Sequence, residues 1–155
     1  MASWRDEVSK EAQNDCDRLL DTALPFAQQM LDSYGEFYPY AIKMFDNGVT
    51  QALAAESGKN QWPKSDLVLD KIYARLAAQA ATLRAVAVVA DVLLTTDAEP
   101  IDAIKIDVEH REGVAIAVLV PYEKSEEGKK FEFSVPRAAF GERRVWPQRD
   151  DEEPS

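Results

Sequence analysis

The single histidine of this sequence, His110, is the first residue to consider for catalysis. A general base needs an orienting partner and a pocket, and Glu109 or Asp107 could orient the ring. Cys16 or a serine would then have to act as the nucleophile, but the sequence contains no G-x-S-x-G motif. Because His110 adjoins a predicted hairpin turn, we expect an exposed ring without a catalytic role. The residues therefore favour a non-catalytic protein, with an enzyme as the alternative.

Metal binding has one candidate segment, the run Asn14-Asp15-Cys16-Asp17. Consecutive side chains on a helix point in different directions, so the two aspartates would not converge on one ion. The sequence also lacks Cys-x-x-Cys, His-x-x-x-His and calcium-loop spacings. Its six glycines are spread among predicted turns and form no phosphate-binding loop. We expect no metal or cofactor, and we expect this run to lie on the solvated face of a helix.

Aromatic residues suggest two further kinds of site. Four closely spaced aromatic residues in the first predicted hairpin most simply indicate packing, and a ligand pocket beside Tyr38, Tyr40 and His110 is the alternative. Trp62 and Trp146 lie in predicted loop segments. Each of these tryptophans either covers a gap in the core or forms part of an interface, where tryptophan is enriched.

The formal net charge of -10 argues against binding to nucleic acid or to anionic lipid, because both attract basic surfaces. An acidic surface fits a basic protein partner, or it only keeps the protein soluble. Asp15, Asp17 and Asp21 in the first predicted helix are the candidate contacts for a basic partner.

The length of 155 residues fits one domain. We predict a single domain over residues 1–148 and an acidic, disordered tail over residues 149–155. The N-terminal residues show no signal segment, and no apolar run approaches the roughly 20 residues that span a bilayer. A soluble cytoplasmic protein is therefore expected. Cys16 is the only cysteine and cannot form an internal disulfide.

The strongest structural signal is a hairpin over residues 104–121. Apolar residues alternate with Lys105, Asp107 and Glu109, as in a half-buried strand whose polar face meets solvent or a partner. After a predicted three-residue turn ending at Gly113, residues 114–120 are apolar on both faces, which is typical of a strand inside a sheet. The β-branched run over residues 85–94, interrupted by Asp91, predicts a preceding strand.

Two helices are predicted from an apolar period near 3.6. The first covers residues 3–34, with Ser3 as the N-cap, an apolar stripe reaching Tyr34 and a C-terminal stop at Gly35. Pro25 predicts a kink or a break near residues 21–24. The second covers residues 66–83 and is capped by Ser65.

Two further strand segments complete the prediction. Residues 37–45 and 49–55 flank Asn47-Gly48, which predicts a tight type I′ hairpin. Pro39 places the first of these strands at a sheet edge or lies before the regular strand begins. Residues 131–135 predict a short last strand that ends at Pro136. The predicted fold is α+β, a single antiparallel sheet of five or six strands with two main helices, in the order α-β-β-α-β-β-β-(β).

This order of elements is similar to the roadblock/LC7-type, profilin-like arrangement, in which helices cover an antiparallel sheet. At the residue level, LPFAQQMLDSYGEFYPYAIKMFDNG (residues 24–48) and DAIKIDVEHREGVAIAVLVPYE (residues 102–123) resemble a group of uncharacterised small bacterial proteins. Those proteins share a GEF-P entry to the first strand and an EH-G hairpin. The resemblance implies a bacterial origin and carries no activity, cofactor or catalytic residue.

The functional prediction is a non-catalytic protein-interaction module, an immunity-like or accessory protein whose acidic first helix meets a basic partner. A small-molecule-binding protein or enzyme that uses the aromatic hairpin and carboxylates is one alternative. A structural homodimer, formed by pairing edge strands or helices, is another.

Overall fold

The computed structural model describes residues 8–54, 65–125 and 130–147. Within these ranges the chain forms two α-helices, a short 3-10 helix and seven strands. The predicted tail at residues 149–155 lies outside them. In chain order the elements are α1 (Lys10–Tyr34), β1 (Tyr40–Phe45), β2 (Thr50–Ala54), α2 (Ser65–Ala78), the 3-10 helix (Ala80–Thr82), β3 (Leu83–Leu94), β4 (Ile101–His110), β5 (Val114–Lys124), β6 (Phe131–Phe133) and β7 (Arg137–Phe140).

The strands form one antiparallel sheet in the order β2-β1-β3-β4-β5-β6, and β7 also pairs with β5. The predicted α+β class, with two helices and a single sheet, is confirmed. The sheet has seven strands in the described part of the chain, against the five or six predicted. The additional strand, β7, has no apolar alternation in its sequence and follows Pro136, so no local pattern indicates it.

Helix α1 begins later than predicted and is not broken. Ser9 is the N-cap, and its side chain accepts a hydrogen bond from the Ala12 N–H at 3.1 Å. The prediction of Ser3 as the cap was therefore wrong, and Ser3 itself lies outside the described residues. The helix continues through Pro25, because burial of its apolar stripe against the sheet offsets the lost backbone hydrogen bond. Gly35 ends the helix at φ 78°, as predicted.

The two hairpins differ in how closely they follow the sequence patterns. The turn between β4 and β5 has three residues and ends at Gly113 with φ 109°, as predicted. The turn between β1 and β2 is not type I′, because Asn47 does not have a positive φ. Instead, only Gly48 has a positive φ, 86°, and its N–H donates to the Phe45 carbonyl at 2.8 Å. Four residues separate the strands, and because the Phe45 N–H donates to the Val49 carbonyl at 2.8 Å, residues 46–48 form a three-residue loop. Pro39 immediately precedes β1, which is an interior strand.

Each face of the sheet carries its own apolar core. Helix α1 packs its buried stripe against one face, and α2 packs against the other face together with Val145. The predicted helix over residues 66–83 ends earlier, and Leu83 is the first residue of β3. The fully buried side chains of the α1 core include Leu19, Leu31, Met44, Ile104, Ile106 and Ile116, and those of the α2 core include Ile72, Leu76, Leu83, Val86 and Val88.

Candidate functional site

His110 is the last residue of β4 and is buried under α1, with 3% of its surface exposed. Its Nε2 lies 2.9 Å from Oδ2 of Asp15, and the Glu112 N–H donates to its Nδ1 at 3.1 Å. Because Nδ1 accepts a hydrogen bond, the ring hydrogen must be on Nε2 and is donated to Asp15. The prediction of an exposed turn histidine was wrong, since the N-terminal half of α1 covers the end of β4.

Asp15 is also buried, with 3% of its surface exposed, so its predicted place on the solvated face of α1 was wrong. Its second oxygen, Oδ1, accepts a hydrogen bond from Nη2 of Arg84 at 3.0 Å. Arg84 also donates through Nη1 to the Asp46 carbonyl at 3.2 Å. Asp15 therefore links α1 to both β3 and β4, which explains why an aspartate occupies the buried side of this helix.

The Asp15–Arg84–His110 network is a structural connection. The carboxylate already accepts two donors, and the His110 ring is enclosed, so a substrate proton cannot reach Nε2. Ser9 adds a second link beside it, because its N–H and its hydroxyl donate to the Glu112 carboxylate at 3.2 and 2.6 Å. Within residues 8–54, 65–125 and 130–147, no group of three His, Cys, Asp or Glu side chains is arranged to hold a metal ion.

Trp146 is half-buried against the α2 core, and its indole Nε1 donates to the Ala80 carbonyl at 3.3 Å. Its backbone is held by Glu109, whose carboxylate accepts the N–H groups of Arg144, Val145 and Trp146 at 2.5 to 3.0 Å. Glu109 was expected on a polar strand face and is buried beneath this segment instead. The other candidate tryptophan, Trp62, lies outside the described residues.

Tyr40 and His110 do not line one pocket. Tyr40 pairs with Val89 and His110 pairs with Ala85, four residues away along β3. The Tyr40 hydroxyl donates to the Ala23 carbonyl at 2.8 Å, and burial raises the pKa of the phenol. Its role is to pack α1 against the sheet. Tyr38, in contrast, is 42% exposed at the end of α1.

The predicted acidic face of α1 is smaller than the sequence suggests. Asp21 is exposed and Asp17 is half-buried, whereas Asp15 faces the core. Lys10 and Arg18 are exposed on the same helix and offset part of the negative charge. The region with stronger acidic and apolar character lies beyond the C-terminal end of α1.

We define the acidic–aromatic surface as Tyr34, Glu36, Tyr38, Asp91, Leu93 and Asp102, which lie where α1 and β3 end and β4 begins. Tyr34 and Leu93 are 76% and 62% exposed, respectively. Tyr34 was expected to continue the buried stripe of α1, and that prediction was wrong, because the helix reaches past the sheet core at this point. Leu93 pairs with Asp102 across the strands, which places an apolar and a negative side chain next to each other.

A cleft of about 580 Å³ opens beside this surface. Its lining includes Glu99, Asp102 and Glu123, and Lys124 adds a positive charge. The cleft reaches the end of α1, since a Cβ placed on Gly35 would lie 3.9 Å from Lys124 Nζ. The full lining is Thr96, Ala98, Glu99, Pro100, Ile101, Asp102, Tyr122, Glu123 and Lys124.

Asp91 shows the electrostatic character of this region. Burial raises the pKa of its carboxyl group, and the negative charges of Asp102 and Glu36 raise that pKa further. A hydrogen bond from the Tyr122 hydroxyl at 2.6 Å partly opposes the increase. The carboxylates here repel one another, so a cationic group placed among them would be stabilised.

Only some residues of this site could be recognised from the sequence. Asp91 is visible in the sequence as the one charge inside an apolar strand run, which was a usable signal. Glu36 and Asp102 carry no such signal, because their proximity to Asp91 depends on how α1 and β4 meet.

No match to this chain is found among protein-family models, curated proteins or solved structures. In the described ranges, neither helix combines the length and the apolar composition needed to cross a membrane.

Proposed function

We propose that this protein is a non-catalytic interaction module that binds a basic segment of a partner protein at the acidic–aromatic surface. The observation that carries the proposal is the combination, at one end of the molecule, of exposed Tyr34, Tyr38 and Leu93 with the carboxylates of Glu36 and Asp102. Aromatic side chains are enriched at interface hot spots, and acidic groups around them select for lysine and arginine.

The chemistry of recognition has two parts. The net charge of -10 attracts a basic partner from solution and increases the rate of association. At short range, an arginine guanidinium can stack on Tyr34 or Tyr38 while it pairs with Glu36. The apolar part of the partner segment would cover Leu93, which is costly to leave exposed to water.

The cleft beside the surface adds a place for a long side chain. Glu99, Asp102 and Glu123 present carboxylate groups around it, and its volume of about 580 Å³ accommodates a lysine or arginine side chain. Such a cation would also stabilise the ionised form of Asp91, because it would offset the repulsion from Asp102 and Glu36.

The proposal is tested with a short synthetic peptide in which arginine and leucine alternate, and with the same peptide carrying glutamate in place of arginine. Binding is measured by isothermal titration calorimetry and mapped by backbone amide shifts in NMR. We expect the arginine peptide to bind and to shift residues 34–38, 91–102 and 122–124. Its affinity should fall as salt rises, because the attraction between exposed charges is screened.

Two variants and two controls locate the binding. Tyr34→Ala should reduce the affinity for the arginine peptide by roughly 30-fold, as expected for an aromatic hot spot of about 2 kcal/mol. Asp102→Asn should reduce that affinity by a smaller factor. Val49→Ala and Glu11→Gln shorten an exposed apolar side chain and remove an exposed carboxylate elsewhere, and should leave affinity unchanged. Equal binding of the glutamate peptide, or equal binding by all four variants, would refute the proposal.

A further inference from the structure

A second cavity, of about 290 Å³, lies on the face of the sheet that α2 covers. Tyr73 of α2 forms one side, Lys105 and Asp107 of β4 form the floor, and the segment after β7 forms the opposite side. It is therefore separate from the acidic–aromatic surface. The full lining is Tyr73, Lys105, Asp107, Ala117, Phe140, Gly141, Glu142 and Arg144.

Arg144 is fixed in the wall of this cavity by its backbone and by its side chain. Its N–H donates to Oε1 of the buried Glu109 at 2.9 Å. Its guanidinium lies 3.7 Å from the centre of the Tyr73 ring, and Nη2 is 3.7 Å from Oδ1 of the exposed Asp70. A guanidinium held in this way loses little conformational freedom when it binds an anion.

Asp107 lies between two cations on the floor of the cavity. Burial raises the pKa of its carboxyl group, Lys105 and Arg144 lower that pKa through their positive charges, and the negative charge of Glu142 raises it. Lys105 Nζ is 3.6 Å from Oδ2 of Asp107. The cavity thus offers the positive groups of Lys105 and Arg144 and the carboxylates of Asp107 and Glu142 within one small volume.

Gly141 fixes the position of the wall. Its N–H donates to the Ala115 carbonyl at 2.8 Å, and a Cβ at this position would lie 3.0 Å from the Ile116 carbonyl carbon. A side chain at this position would crowd the backbone of β5, so glycine favours the close approach. This contact and the hydrogen bonds from the N–H groups of residues 144–146 to the Glu109 carboxylate hold Arg144 over the cavity floor.

We propose that this cavity binds a small organic acid that also carries a hydrogen-bond donor, the chemistry shared by amino acids and hydroxy acids. The carboxylate of the ligand pairs with Lys105 and Arg144. Its ammonium or hydroxyl group donates to Asp107. The volume is at the lower limit for ligand sites, so the ligand has few non-hydrogen atoms.

The test uses four compounds with the same carbon skeleton. Alanine and lactate carry both groups, propionate lacks the donor, and isopropylamine lacks the carboxylate. Binding is followed by NMR titration of backbone amides. We expect saturable shifts at the cavity residues with alanine, with lactate or with both, and binding at least about tenfold weaker for propionate and isopropylamine. Tighter binding of alanine would identify the ligand's donor as an ammonium group, and tighter binding of lactate would identify it as a hydroxyl.

The proposal is overturned if neither alanine nor lactate gives saturable shifts, or if propionate binds as well as they do. Lys105→Gln and Asp107→Asn should each reduce the affinity for the organic acid by about tenfold or more, since each removes a charged partner of the ligand. Lys71→Gln removes an exposed lysine from α2 outside the cavity and should have no effect. If Asp107→Asn does not fold, Lys105→Gln alone decides the result.

The two proposals fail independently. Lys105→Gln should leave binding of the arginine peptide unchanged, and Tyr34→Ala should leave binding of the acid unchanged, because the two sites share no residue. A variant that abolished both activities would indicate loss of the fold, which amide spectra would show.

Discussion

The carboxylates at the two ends of α1 lie in opposite environments, although both groups belong to the same face of the sheet. At the N-terminal end, Asp15 accepts hydrogen bonds from Arg84 and His110 and is fully buried. At the C-terminal end, Asp91 lies near two other carboxylates and accepts a hydrogen bond from the neutral Tyr122 hydroxyl. Asp15, paired with Arg84 and His110, holds the helix in place, whereas the carboxylates grouped around Asp91 repel one another and would be stabilised by a cation.

This difference gives the two groups opposite contributions to stability. A buried carboxylate with cationic partners is costly to remove, because its partners are left unpaired in the interior. A carboxylate that repels its neighbours lowers the stability of the fold, and its removal is expected to be tolerated or favourable. Substitutions at the two ends can therefore confirm or contradict the comparison.

The largest effect is expected for Asp15→Ala. Loss of this carboxylate leaves Arg84 and His110 without their shared partner, and we expect the free energy of unfolding to fall by about 3–5 kcal/mol. Urea unfolding followed by circular dichroism measures the change. The control is Asp21→Ala on the exposed side of the same helix, which should change stability by less than about 0.5 kcal/mol. Similar stability for the two variants would contradict the role assigned to Asp15.

Glu109 provides a third case, a carboxylate paired with backbone N–H groups instead of cationic side chains. Glu109→Gln replaces one accepting oxygen by an NH₂ group that faces those donors, and should cost about 2 kcal/mol. Faster hydrogen exchange of the amides at residues 144–146 would show that this segment has loosened. The matched control, Glu132→Gln, alters an exposed residue of β6. Unchanged exchange in Glu109→Gln would mean that these hydrogen bonds do not hold the segment.

The sequence predicted the central hairpin well because its signals are local. Alternating apolar residues determine which face of β4 packs in the α1 core, and Gly113 supplies the positive φ of the turn. Asp15 was placed on the wrong side of α1 because the group that buries it, His110, is 95 residues away. No helical pattern contains that information.

The candidate site was predicted less well for the same reason. Tyr38 is exposed as a ligand-contacting residue would be, but its predicted companions Tyr40 and His110 point into the core at different places. The exposure of Tyr34 depends on where α1 passes the end of the sheet, and periodicity alone continues the apolar stripe to it. The charges that surround Asp91 come together only through the pairing of β3 with β4 and the course of the chain after α1.

A smaller effect is expected for Asp91→Asn. Since the pKa of Asp91 is raised in the folded protein, its ionised form costs stability, and that cost appears as pH rises through the folded pKa. The variant should therefore be more stable than the wild type at neutral pH, by less than about 1 kcal/mol because the group is partly solvated. The advantage should shrink as pH falls through the folded pKa and disappear below about pH 3, where both states of the wild type bind the proton. Urea unfolding at both pH values measures this, and a variant less stable at neutral pH would contradict it.

The smallest effect, and one of opposite sign, is expected for Glu112→Gln at the N-terminal end of α1. Hydrogen bonds from the Ser9 hydroxyl and N–H lower the pKa of Glu112, and the positive charge of Arg111 lowers it slightly more. A lowered folded pKa contributes stability that is present at neutral pH and is lost as pH falls through that pKa. We expect a loss of about 0.5 kcal/mol at neutral pH, as for other exposed charged contacts.

The difference in unfolding free energy between Glu112→Gln and the wild type should therefore shrink below about pH 4. The corresponding difference for Asp91→Asn has the opposite sign and shrinks at higher pH, as pH falls through the raised folded pKa of Asp91, so unfolding of both variants in one pH series compares the two ends of α1 directly. Opposite signs at neutral pH are required if one end of the helix is stabilised by its carboxylate and the other is held ready for a cation. If both variants changed stability in the same direction, the two ends would be electrostatically alike, and the acidic–aromatic surface would lose its distinguishing property.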